Sequence, residues 1–144
     1  MNVLVIEDSE TDAEAISEKL KLLCYPVSVD WVISIEQANA IRKEKDYDVV
    51  LADLMLPDSA CGENTLQQVR NGAAVIAITA QELTECRCES YLRAGADFVL
   101  PKDDAFGASA FLWQSMFAYA KKLKAERTRY KARVGQLLAE LEAQ

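Results

Sequence analysis

The chain is 144 residues long, 51% hydrophobic and 27% charged, the balance of an ordinary globular chain with one real core. It holds no histidine, which excludes an imidazole base, a phosphohistidine of its own and a His-containing metal site. Its net charge of −7 is unevenly spread: residues 1–110 carry 9 basic and 20 acidic groups, whereas residues 111–144 carry 7 basic and 3 acidic. That split predicts a compact acidic domain over residues 1–120 and a chemically distinct helical extension over 121–144.

No apolar run approaches the ~20 residues of a membrane span. The chain enters a strand at once rather than through a leader. The expected location is the cytoplasm, with no membrane partner. Cys24, Cys61, Cys86 and Cys88 match no secreted disulfide framework, so free thiols are expected. Cys86 and Cys88 fall in a predicted helix and face roughly 200° apart, a poor chelate.

In chain order, Asn2 to Ile6 form an apolar strand that ends in Glu7-Asp8. Ser9 caps a helix through about residue 23, with Ala13, Ile16, Leu20 and Leu23 on one face. Pro26 breaks it, and residues 27–32 read as a second strand. Ser34 followed by Gln37 signals a capping box for a helix to about residue 45. Val49 to Ala52 make a third, wholly apolar strand that delivers Asp53 to its end, before a turn with Pro57-Asp58. A short helix over 65–70 stops at Asn71-Gly72. Residues 74–78 form a fourth strand ending at Thr79, a helix over 82–94 stops at Gly95, and residues 97–100 form a fifth strand before Pro101-Lys102.

Five strands alternating with helices predict an α/β fold with a parallel sheet, and the continuous apolar runs predict burial on both faces. From about residue 104 the helical pattern continues almost to the end, interrupted by Gly107 and Gly135, a length of about 60 Å. One stripe, Phe106, Ala110, Trp113, Phe117 and Ala120, is expected to pack on the sheet. A second, Leu112, Met116, Tyr119 and Leu123, continues after a shift through Tyr130, Val134, Leu137 and Leu141. A helix that outruns its domain while keeping an apolar side calls for a partner.

In a parallel sheet, ligands bind at the carboxyl ends of the strands. Four such ends place Glu7, Asp8, Asp53, Thr79 and Lys102 along one edge. Clustered carboxylates with oxygen-only donors select a hard ion such as Mg²⁺. Thr79 adds a hydroxyl and Lys102 a mobile charge, a layout for phosphoryl transfer to a carboxylate. Singly, each residue would read as a cap, a turn former or a surface group; the five together carry the reading.

Glu7-Asp8, Asp53 followed by Leu56-Pro57-Asp58, Thr79-Ala80, Gly95-Ala96-Asp97 and Lys102 resemble the receiver domain of two-component response regulators. The resemblance covers about residues 1–120. It implies a flavodoxin-like (βα)5 fold with strand order 2-1-3-4-5 and an extended last helix. It also implies that Asp53 accepts a phosphoryl group from a sensor histidine kinase or phosphotransfer protein. Asp8, Asp53 and the Met55 carbonyl would coordinate Mg²⁺, Glu7 would act largely through water, and Lys102 and Thr79 would contact the phosphoryl oxygens. Two positions depart from the family pattern. Asp103 follows Lys102 where proline is usual, and Val99 replaces an aromatic while Phe98 points the other way. Val99 has no ring to report movement at Thr79, so a modified output is expected.

Two rivals share parts of this layout. A flavin-binding flavodoxin should offer glycine and hydroxyls after the first strand, where this chain has Glu7-Asp8-Ser9-Glu10-Thr11-Asp12. A Mg²⁺-dependent phosphatase should carry its nucleophile on the first strand as Asp-x-Asp, which is absent. In the extension, residues 121–133 hold seven basic groups and one acidic, ahead of Val134, Leu137 and Leu141. Fewer than two heptads follow the basic run, which argues against a DNA-binding zipper and for a coiled-coil or signalling helix joining two copies.

Overall fold

Apolar runs with little polar alternation form strands only where both faces of a sheet are covered, and this chain builds that arrangement. The structure is a computed structural model describing residues 1–144. Its strands are β1 (Asn2–Ile6), β2 (Ser28–Val32), β3 (Val49–Asp53), β4 (Ala74–Thr79) and β5 (Phe98–Pro101), all parallel in the order β2-β1-β3-β4-β5. Every residue of β3 and β4 is buried. Side chains alternate between two cores. Leu4, Ile6, Val50, Ala52, Val75 and Ala77 point into one, and Val3, Val5, Val49, Leu51, Ile76 and Ile78 into the other.

The first core is closed by α2 (Ile35–Arg42), α3 (Gly62–Val69) and α4 (Glu85–Ala94), through Ala38, Leu66, Val69 and Tyr91. The second is closed by α1 (Glu10–Leu20) and by the chain after β5, through Ile16, Leu20, Trp113, Phe117 and Ala120. Helix starts follow the cap residues. Ser9, Ser34 and Thr84 each accept the N–H three residues on, and Gln37 accepts the Ile33 N–H at 3.1 Å, one residue outside the cap. Gly95 ends α4 at φ +128°, and a Cβ there would stand 2.9 Å from Arg70 Cδ. Helix α1 stops at Leu20, three residues short of expectation, although Leu23 is still buried.

The expected long last helix is present, but it starts later than residue 104. Lys102–Gly107 form a separate short helix, α5; Ala108 and Ser109 are extended, and α6 starts at Ala110 and runs 33 residues to Glu142. At about 1.5 Å per residue α6 is about 50 Å long. Trp113 explains the break: it is fully buried, stacks on Phe117 at 6.1 Å, and donates from Nε1 to the Ala105 carbonyl at 2.9 Å. Seating that ring against the sheet requires the chain to fold back between Ala105 and Ala110. Gly135, by contrast, lies inside the helix. Of the second stripe Met116 turns inward, while Leu112 and Tyr119 stay exposed, with Tyr119 edge-on to Phe98 at 5.7 Å.

Contact between α6 and the domain extends beyond residue 120. Lys121 sits over the Tyr25 ring at 5.5 Å, Lys124 lies 3.2 Å from Asp46 Oδ1, and Arg127 grips Asp97 at 2.6 and 3.1 Å and the Ala73 carbonyl at 2.9 Å. Every residue from 128 onward is exposed.

Candidate functional site

The strand order reverses beside β1, whose neighbours β2 and β3 lie on opposite sides, which opens a crevice at the carboxyl ends of β1 and β3. Register fixes what meets there. Ile6 pairs with Ala52, so Glu7 and Asp53 leave adjacent strands at one level, and Thr79 pairs with Pro101, which sets Lys102 just past the same edge. The carboxylates of Glu7, Asp8 and Asp53 each place an oxygen within 4.8 Å of the others. Glu7 and Asp53 are buried and Asp8 is exposed.

Glu7 is fully buried. Its Oε1 accepts the Ser9 N–H at 3.1 Å, while Oε2 lies 3.1 Å from Lys102 Nζ, off the angle of a directed hydrogen bond. Burial pushes this carboxyl up from an ordinary 4.5 to about 7, and Asp53 adds to the rise against the opposing pull of Ser9 and Lys102. Asp53 Oδ1 accepts the Met55 N–H at 3.0 Å, and Oδ2 faces Lys102 Nζ at 3.4 Å. Burial draws the Lys102 ammonium down, but its hydrogen bond to Asp12 and the charges of Asp53 and Glu7 outweigh this and hold it above its ordinary range.

Thr79 is fully buried, and its Oγ1 accepts the Gln81 N–H at 3.1 Å, leaving the hydroxyl proton to donate. Met55 is exposed, and its carbonyl receives no hydrogen bond from the chain. All peptide bonds are trans, and the Lys102-Asp103 junction opens α5. Val99 packs against the first core and Phe98 against the second, on opposite faces as the alternation requires. Asp58 turns out to be a cap: its carboxylate accepts the Ile35 and Glu36 N–H groups at 3.1 and 3.0 Å. Those bonds lower its pKa although burial acts to raise it.

Two residues at the site escape a sequence reading. Asp12 makes the shortest contact to Lys102, 2.6 Å from Oδ2 to Nζ. Its only signal is its place one helical turn beyond Asp8. Trp31 donates from Nε1 to the Glu7 carbonyl at 2.6 Å, bracing the acidic turn from the edge strand. The three side chains of the cluster offer only carboxylate oxygens as ligands, Asp8 opens to solvent, and Glu7 Oε2 is buried without a directed hydrogen bond. That donor set suits a hard divalent cation.

Fold and site define a flavodoxin-like α/β domain with an acidic, lysine-bridged crevice. The family model of the response regulator receiver domain matches residues 3–107. The chain belongs to that family, a signalling domain of two-component systems rather than a conventional enzyme. The autoinducer 2 sensor kinase/phosphatase LuxQ of Vibrio parahaemolyticus is 33% identical over 107 residues, 71% of this chain and 12% of that protein. The chain thus spans about an eighth of that relative's length. A signal receiver domain assigned to a Luxo repressor protein from Vibrio parahaemolyticus superimposes with a TM-score of 0.72 at 21% identity, over 90% of this chain and 95% of the other. The Mn(2+)-bound form of response regulator Rcp1 gives a TM-score of 0.63 at 20% identity, over 80% and 90% of the two chains.

Proposed function

We propose that the chain is a receiver in which Asp53 accepts a phosphoryl group from the phosphohistidine of a sensor histidine kinase or phosphotransfer protein. The observation that carries this reading is the convergence of Glu7, Asp8 and Asp53 within 4.8 Å, with Lys102 Nζ 3.4 Å from Asp53 Oδ2. An Asp53 carboxylate oxygen attacks phosphorus, the new O–P bond forms as the N–P bond breaks, and the imidazole nitrogen keeps the electron pair. Asp8, Asp53 and the Met55 carbonyl would hold Mg²⁺, with Glu7 acting through water, and the ion would neutralise charge at the phosphoryl oxygens. Lys102 and the Thr79 hydroxyl contact those oxygens once the group is in place. The Mn(2+)-bound state of Rcp1, a protein of the same fold, supports a divalent ion here.

Residues 1–120 act in this reading as the receiver, and residues 121–144 as a helical extension that couples phosphorylation to a change of conformation or assembly. Tyr130, Leu137, Leu138 and Leu141 are exposed along the free part of α6, an apolar side suited to a second copy as a coiled coil. Three groups of the basic run, Lys121, Lys124 and Arg127, are turned onto the domain; this favours a protein partner over direct nucleic-acid binding. No helix is long and apolar enough to cross a membrane, and we assign the domain to the cytoplasm, where kinase domains and phosphodonors meet it. Incubation with a small phosphodonor and Mg²⁺ should add one phosphoryl group to the wild type and none to Asp53→Asn; equal labelling of both removes the assignment. Light scattering with and without beryllofluoride should find a dimer in at least one state, and a monomer throughout excludes the coiled-coil role.

A further inference from the structure

Lys102 does not spend its closest contact on the proposed acceptor. Its Nζ lies 2.6 Å from Asp12 Oδ2, 3.1 Å from Glu7 Oε2 and 3.4 Å from Asp53 Oδ2. Asp12 is aimed from a rigid place, the capped first turn of α1, where Ser9 Oγ accepts its backbone N–H at 3.3 Å. It stands outside the Glu7, Asp8 and Asp53 group. With Thr79, Ala80, Lys102, Asp103 and Phe106 it lines an open cavity of about 340 Å³ beside the cluster.

An ammonium and a divalent cation compete for the same carboxylate lone pairs. Were Lys102 to settle fully on Asp53 and Glu7, an incoming ion would have to displace it from a part-buried pair, where charge interactions are strong. We propose that Asp12 is a positioning residue that holds the Lys102 ammonium toward α1 and so keeps the Asp53 and Glu7 carboxylates available to a divalent cation. The inference rests on reading the acidic cluster as a divalent-cation site. It adds a role for a residue outside the Glu7, Asp8 and Asp53 cluster. Neutralising Asp12 frees Lys102 to close on Asp53, and the metal then binds against that closed pair.

The test is calorimetric titration with Mg²⁺ of the full chain as wild type, Asp12→Asn, Asp12→Glu, Lys102→Met and Asp12→Asn/Lys102→Met. Asn keeps the backbone N–H that Ser9 caps, so the turn stays formed. Asp12→Asn should weaken Mg²⁺ binding about three- to tenfold, the scale of a part-buried charge pair. Asp12→Glu should recover most of the loss. In the Lys102→Met background the effect of Asp12→Asn should shrink below about twofold, as a double-mutant cycle requires of groups that act through each other. Unchanged affinity in Asp12→Asn, or an equal loss with and without Lys102, overturns the role of Asp12 while leaving the metal site intact. A wild type that binds no Mg²⁺ overturns both. Labelling of Asp53→Asn overturns only the acceptor assignment, because the titration reads metal alone.

Discussion

Glu7→Gln should make the domain more stable in neutral solution free of divalent ions. The buried Glu7 carboxyl has its pKa raised by burial from 4.5 to about 7, so the folded state holds a proton that the unfolded chain has released. The sign follows from linkage. Stability attached to this group is fully present below about 4.5 and is lost as pH rises through about 7. At about 1.4 kcal/mol per tenfold the ceiling is about 3 kcal/mol, fully developed above pH ~8. Glutamine stands in for the protonated carboxyl and keeps an oxygen for the Ser9 N–H, which donates to Oε1 at 3.1 Å; the attraction of Lys102 to the charged form is already contained in the raised pKa. The net gain is therefore about 1–3 kcal/mol at pH ~8. Urea denaturation of both proteins at several pH values between 4.5 and 8, with chelator present, reads the difference, and other titrations common to both cancel. The gap should close steadily toward low pH. A gap independent of pH, or a less stable glutamine variant at pH 8, would refute the reasoning.

The Trp31 indole donates to the Glu7 carbonyl at 2.6 Å, one peptide from Asp8, so Mg²⁺ should change tryptophan emission in the wild type and not in Trp31→Phe. A response that survives this substitution assigns it to Trp113. Mg²⁺ at about 100 times its dissociation constant should raise stability by about 2.7 kcal/mol, and Asp8→Asn should abolish most of that gain in thermal melts. Arg127→Ala removes the grip on Asp97 and Ala73. Its side chain is 38% exposed, so the global cost should stay within about 1 kcal/mol. Amide exchange over residues 125–130 should nonetheless speed up sharply, since beyond the Lys124–Asp46 pair Arg127 alone reaches the domain; unchanged exchange would mean that the stretch is held by packing alone.

Much of the architecture is legible from local chemistry. Val49 to Ala52 and Ala74 to Ile78 hold no polar residue, and a strand without polar positions has to be covered on both faces, which commits the chain to a parallel sheet between helices. Strand ends follow from the same runs, because each stops where a charged or hydroxyl residue appears: Glu7, Asp53 and Thr79. That is why Glu7, Asp53 and Thr79 are legible in the sequence as residues of one sheet edge. The caps at Ser9 and Ser34 were equally local, since a hydroxyl three residues before an N–H needs no tertiary partner.

The remainder depended on contacts between distant segments. Gly107 and Gly135 look alike in a helical pattern, yet the chain breaks after the first and runs through the second. The difference is the seat of Trp113 on the sheet and its bond to the Ala105 carbonyl, a requirement that no helix propensity contains. Asp12 and Arg127 read as an ordinary first-turn acid and one base in a basic run. They acquire partners, Lys102 and Asp97, 90 and 30 residues away. Sequence therefore determined which residues reach the carboxyl edge, because strand length and burial are properties of short apolar runs. Tertiary structure alone decided which charges meet there and where the last helix is anchored, because charge pairing across the fold carries no local signature.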